Sequence, residues 1–108
     1  ERGLFRSTAI MVAGEFGRTP KINGQGGRDH WARAMFALMA GGDIEGGQVI
    51  GETDDRAGAP VGKGYSPDDL AASFFQNIGI NSKHEFQTNI GRPINLVRDG
   101  KPIAQLFS

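Results

Sequence analysis

Cysteine is absent from this 108-residue chain, which removes disulfides and thiolate metal sites at once and leaves the redox compartment undecided. Any metal bound here has to be held by histidine and carboxylates, which are hard or borderline ligands. No apolar run approaches the ~18 residues that would span a bilayer. Charge of one sign is lacking too: 12 basic residues balance 12 acidic ones. There is no basic stripe or tail, and no interleaving of basic and aromatic residues, so nucleic acid is not an expected partner. An initiator Met and a signal peptide are also missing. The chain opens on Glu1-Arg2-Gly3-Leu4-Phe5, as though inside an element. It is therefore expected to be the carboxy-terminal part of something longer, and the missing signal peptide excludes nothing.

Glycine is what the chain has in excess, with 17 residues against an average near ~7%. The glycines are aperiodic, so no collagen-like repeat is present. They gather in pairs, Gly26-Gly27, Gly41-Gly42 and Gly46-Gly47, and read as tight turns between short strands. Thr8-Ala9-Ile10-Met11-Val12-Ala13 is a continuous apolar run suited to a strand covered on both faces. Residues 14–31 follow with no periodicity, and an irregular loop of ~18 residues is uncommon in a compact domain unless it is functional or disordered. Ala34-Met35-Phe36-Ala37-Leu38-Met39-Ala40 satisfies a short helix by propensity and a buried strand by its glycine flanks, and periodicity does not separate the two. Val49-Ile50 reads as a short extended piece, and residues 52–64 as a polar surface loop.

The clearest element starts at Pro67. Ser66 is a good N-cap, Pro67 suits the first helical position, and Asp68 and Asp69 complement the positive end of the helix dipole. Leu70, Phe74, Phe75 and Ile78 form an apolar stripe, and Gly79 closes the helix. In the tail, Pro93–Val97, Asp99-Gly100 and Pro102–Phe107 predict either a hairpin or a strand followed by a short terminal turn.

The chemistry-bearing residues lie in two signatures bracketing the glycine-rich loop, Gly14-Glu15-Phe16-Gly17-Arg18-Thr19-Pro20 and Gly27-Arg28-Asp29-His30-Trp31. A charge delivered at the end of a buried strand is costly, which points to a site. Glu15 reads as a metal ligand, as a group orienting one, or as a carboxylate paired with Arg18 or Arg28. Arg18 suits an anionic substrate oxygen through its planar fork, and suits an ion pair with Glu15 equally well. His30 is the strongest single candidate ligand. Asp29 either joins it or caps the loop, and neighbours in an extended segment point to opposite sides. Trp31 reads as a packing anchor, and His84 as solvated. Thr19, Asn23 and Gln25 are within plausible reach of a ligand with nothing to single them out. Glu52, Asp54, Asp55 and Arg56 lack the repeating acidic spacing of a calcium loop.

These signatures, with Gly46-Gly47-Gln48-Val49-Ile50-Gly51, Pro67-Asp68-Asp69-Leu70-Ala71-Ala72 and Gly91-Arg92-Pro93-Ile94, resemble the marker segments of the bacterial family known as domain of unknown function 1501. The resemblance runs over essentially the whole chain and implies its carboxy-terminal quarter or so of a typical, exported member. It implies an α/β fold, the carboxy-terminal part of an alkaline-phosphatase-like doubly wound sandwich of the kind shared with sulfatases and phosphatases. It also implies a divalent metal ion (zinc, calcium or magnesium), an anionic phosphate or sulfate ester as substrate, and an amino-terminal portion of the same chain that carries the nucleophile. Under it Glu15, Asp29 and His30 form part of the metal environment, Arg18 acts on the transferring group, and residues 34–40 are a strand. The strands 8–13 and 34–40 should then lie antiparallel or nearly so, and neighbouring or close in the sheet, so that Glu15 and His30 meet at one sheet end. In better-known members of that superfamily a late strand delivers an Asp-His pair to the metals, and here the corresponding place reads Glu15-Phe16. That departure supports a competing class, a non-catalytic binding or surface protein with a degenerate metal site. A free-standing small domain is the third reading, and it requires cooperative folding.

Overall fold

In the computed structural model, which describes residues 2–108, the two apolar runs pair with each other. Strand β1 (Ile10–Ala13) lies antiparallel to a strand at Ala37–Ala40, with Ile10 opposite Ala40 and Val12 opposite Leu38. The chain bends after Ala13 and pairs again through β2 (Gly17–Arg18) and β3 (His30–Trp31), where Gly17 faces Trp31 and Arg18 faces His30. The Ala37–Ala40 strand is therefore β4, and the four strands make one bent ribbon with residues 19–29 as its tip. Strand rather than helix is the outcome for residues 37–40, because their backbone groups have a ladder partner in β1 that a four-residue helix would lack. The glycine-rich stretch thus contains a second paired region, too short to show in its periodicity.

Helix α1 (Pro67–Asn77) forms as its caps dictate. Ser66 and Asp69 make a reciprocal capping box: the Asp69 amide donates to Ser66 Oγ at 3.1 Å, and the Ser66 amide donates to Asp69 Oδ2 at 2.8 Å. At the other end Gly79 takes a φ of +77°, and the amides of Gly79 and Ile80 close on the carbonyls of Gln76 and Phe75. Ser73 is wholly buried and ties the helix to the tail. Its hydroxyl donates to the Asp69 carbonyl at 2.7 Å and accepts from the Ile103 amide at 2.8 Å. Asn77 ties the same helix to the end of β4, accepting from the Asp43 amide at 2.9 Å and donating to the Gly41 carbonyl at 3.1 Å.

The tail follows the second of its two expected forms. β6 (Pro93–Asn95) pairs with an upstream partner, β5 (Glu85–Gln87), and the chain ends in a 3-10 turn at Ala104–Phe107. Val49-Ile50 joins no ladder, and Thr53 bridges Pro60 within the polar loop.

The expected burial of β1 and β4 is not met within this chain. Val12 is 55% exposed and Leu38 60%, and every residue of β1 is exposed. Among the described residues the buried apolar side chains are Ala72, Val97 and Ile103, all around α1 and the tail. The accessible surface is 8614 Å², where a compact monomer of this mass would show about 5,800 Å². The radius of gyration is 16.8 Å against about 13 Å for a compact domain of this length. Roughly 2,800 Å² of surface is thus in excess, more than a standard-size protein interface buries in total.

Candidate functional site

The ribbon carries both signatures to the same end of the β1–β4 sheet. Ala13 faces Ala37, so the residues just after β1 and just before β4 leave the sheet together, and the β2–β3 pair extends from that end. The antiparallel neighbourhood expected for the two strands is observed. Gly17 makes the close approach possible. A Cβ there would fall against the Ala34 carbonyl oxygen and lie 2.9 Å from that of Trp31, so a side chain at this position forces the hairpin apart.

Arg18 and His30 are directly opposed across the hairpin and share one face. Phe16, two residues before Arg18, lies on that face as well. Its ring centroid is 3.8 Å from that of His30, and the Arg18 guanidinium carbon is 5.4 Å from it. Arg18 Nη1 donates to the Arg28 carbonyl at 3.2 Å. The ion pair with Glu15 that the sequence left open does not form. Among the described residues the one ion pair within 4 Å joins Arg98 to Asp68, at 3.8 Å on the surface near α1.

The tip loop is held by its own polar groups. Thr19 and Asp29 exchange bonds, the Thr19 amide to the Asp29 carbonyl at 2.9 Å and the Asp29 amide to Thr19 Oγ1 at 3.1 Å. Asn23 Oδ1 accepts from the amides of Gln25 and Gly27, each at 3.0 Å, and its Nδ2 donates to Asp29 Oδ1 at 3.0 Å. Arg28 donates to the carbonyls of Thr19 and Pro20. Asn23, not Asp29, caps the loop amides; the Asp29 carboxylate accepts from the Asn23 side chain. Asp29 lines a shallow cleft with Thr19, Lys21 and Asn23, while His30 packs on Phe16. Trp31 is half-buried, and its indole N–H donates to the Gly58 carbonyl at 2.8 Å, anchoring the hairpin to the polar loop. His84 is exposed, as expected, with its ring edge-on to Phe86.

Glu15, Asp29 and His30 thus belong to the two signatures that meet at this end without converging on one centre. No group of three or more His, Asp or Glu side chains is placed to hold a metal ion among the described residues. Two residues that matter at this end escaped notice as functional. Phe16 stood out only as a departure from an Asp-His pair, and Asn23 was one polar loop residue among several. Asn23 opens the run Asn23-Gly24-Gln25-Gly26-Gly27, and that Asx-turn chemistry was the available signal.

A family model described as Protein of unknown function (DUF1501) matches residues 1–107, and the chain belongs to that family. No curated protein and no solved structure matches it. No helix among the described residues is long and apolar enough to cross a membrane.

Proposed function

We propose that this member of the DUF1501 family is the carboxy-terminal part of an alkaline-phosphatase-like α/β domain that hydrolyses phosphate or sulfate esters. The reading rests on one observation above the others. A hairpin at the end of the β1–β4 sheet presents a guanidinium, Arg18, with no carboxylate within ion-pair distance among the described residues. Open α/β sheets place ligands at strand ends, and a planar fork suits a tetrahedral oxyanion. The bare faces of β1 and β4 agree with a layered domain whose other parts cover them. In this reading an upstream portion of the same exported polypeptide supplies those layers and the nucleophile. A divalent ion would polarise the ester. The donors of this chain do not fit that ion as a set, since no three His, Asp or Glu side chains converge among the described residues and Asp29 is bound to Asn23. Its ligands would come chiefly from the rest of the domain.

Arg18 would meet the charge that grows on the transferring group, a role best filled by a donor fixed in place before reaction. The test is turnover of p-nitrophenyl phosphate and p-nitrophenyl sulfate by the intact protein with zinc, calcium or magnesium. Turnover that chelation abolishes, and that Arg18→Lys lowers with the metal still bound, is the expected result. Absence of turnover on both esters with every ion refutes the hydrolase reading. A second reading is favoured by Phe16, whose ring occupies the ground beside His30 where a further ligand would be wanted: a binding protein that keeps the scaffold and has lost the metal cluster.

A further inference from the structure

We infer that Arg18 and His30, supported by Phe16, form a direct oxyanion-binding face, and that His30 serves as an anion donor there rather than as a metal ligand. The ligand class is a phosphate or sulfate group, free or esterified. The identity of the bound group as an ester rests on the hydrolase reading, whereas binding of the anion itself does not.

Three observations carry this. The first is register: Arg18 and His30 are cross-strand partners, and directly opposed residues have their Cβ atoms about 4.5–5.5 Å apart. Two donor-bearing heads at that spacing can close on neighbouring oxygens of one tetrahedral anion. The second is preorganisation. The imidazole stacks on Phe16 at 3.8 Å, and the guanidinium sits 5.4 Å from the same ring while one nitrogen holds the Arg28 carbonyl. That leaves most of the fork available and cuts the entropy lost when it closes on an anion.

The third is charge. Residues 14–33 carry four cations, Arg18, Lys21, Arg28 and Arg33, and two acids, Glu15 and Asp29. Neither acid forms an ion pair among the described residues, and the Asp29 carboxylate accepts from Asn23. The loop is thus locally positive in a chain of zero net charge. A divalent cation on His30 would sit beside the Arg18 guanidinium, and like charges at that range repel. A ligating imidazole also customarily gives its other N–H to a carboxylate or carbonyl. No carboxylate lies within ion-pair distance of His30 among the described residues.

Calorimetric titration of the intact protein with inorganic phosphate at low ionic strength, in the presence of a chelator, tests the inference. Saturable binding should persist without divalent ions and weaken with added salt. Arg18→Lys and His30→Gln should each weaken it about tenfold or more, as expected for lost hydrogen bonds to a charged group. Phe16→Leu should weaken it severalfold, and His84→Gln should leave it unchanged. Thermal melts of the variants show whether each remains folded, and His30→Gln decides the matter if Arg18→Lys unfolds. No binding by the wild type, binding lost on chelation, or binding unchanged in His30→Gln overturns the inference. Turnover of nitrophenyl esters with chelator-sensitive phosphate binding would leave the hydrolase reading standing and remove this one. Chelator-resistant binding without turnover would do the reverse.

Discussion

If β1 and β4 are covered on both faces in the intact protein, truncating an outward side chain on each face should be costly. Leu38 and Met39 are adjacent in β4 and so belong to opposite faces of the sheet. Leu38 is 60% exposed within this chain. Covering that remainder is worth about 1–2 kcal/mol of transfer free energy, and the cavity left by truncation adds to it. Leu38→Ala in the intact protein should therefore cost about 2–4 kcal/mol. Met39 is already half-buried here, so Met39→Ala should fall in the same range. On a bare sheet the Leu38 change would stay within about 0.5 kcal/mol. Urea denaturation followed by far-UV circular dichroism measures both. A Leu38→Ala midpoint indistinguishable from wild type refutes the covered-sheet argument. A large loss at one position only leaves a sheet packed on one side, which a layered α/β domain would not contain.

Two further outcomes follow from the geometry. Asp69→Asn should lower stability by about 2–3 kcal/mol, because the carboxylate accepts from the amides of both Lys101 and Ser66. Those two bonds, Lys101 first, hold the Asp69 carboxyl below the usual carboxylate range. Its contribution is complete above the unfolded value near ~4 and is lost as pH falls through the lower folded value. Urea midpoints between about pH 2 and 5 should therefore drop less steeply in Asp69→Asn than in wild type, and an unchanged slope would count against the network. Gly17→Ala should open the β2–β3 pairing, since the new Cβ meets the backbone of Trp31 and Ala34. The check is faster amide exchange at Thr19 and Trp31, whose N–H groups belong to the hydrogen-bonded pairs of this ladder, and retained protection there would refute the close approach.

The parts legible in the sequence are those governed by local chemistry. Ser66, Pro67 and Gly79 mark the ends of α1 without tertiary help, because a cap satisfies backbone groups within a few residues of itself. The strand character of residues 8–13 was legible from β-branched residues and length, and their partner came only with the family resemblance. For Ala34–Ala40 propensity and flanking glycines pointed different ways, and the ladder with β1 decided for strand over Ala37–Ala40, while residues 34–36 stay outside it. β5 was missed because Glu85-Phe86-Gln87 is too short for a period-2 pattern to stand out. β2 and β3 were missed for the same reason, being two residues each.

The candidate site was legible in its residue types and not in its grouping. Glu15, Arg18, Asp29 and His30 are conspicuous as a list, but a list does not say which side chains share a face. The register does: it couples Arg18 to His30 and sets Asp29 apart with Asn23. A shift of one residue in that hairpin would exchange the two sets, bringing Asp29 beside Arg18 and neutralising the guanidinium. What fixes the register is polar and local, namely the Thr19–Asp29 exchange, the Arg28 bonds to Thr19 and Pro20, and the turn built on Asn23. The glycine-rich tip that looks featureless in the sequence is thus the element that decides whether this strand end presents positive charge or buries it in an ion pair. Asn23 and Arg28 are not members of the Arg18–His30 pair, yet the proposed anion-binding face depends on both through the loop they hold.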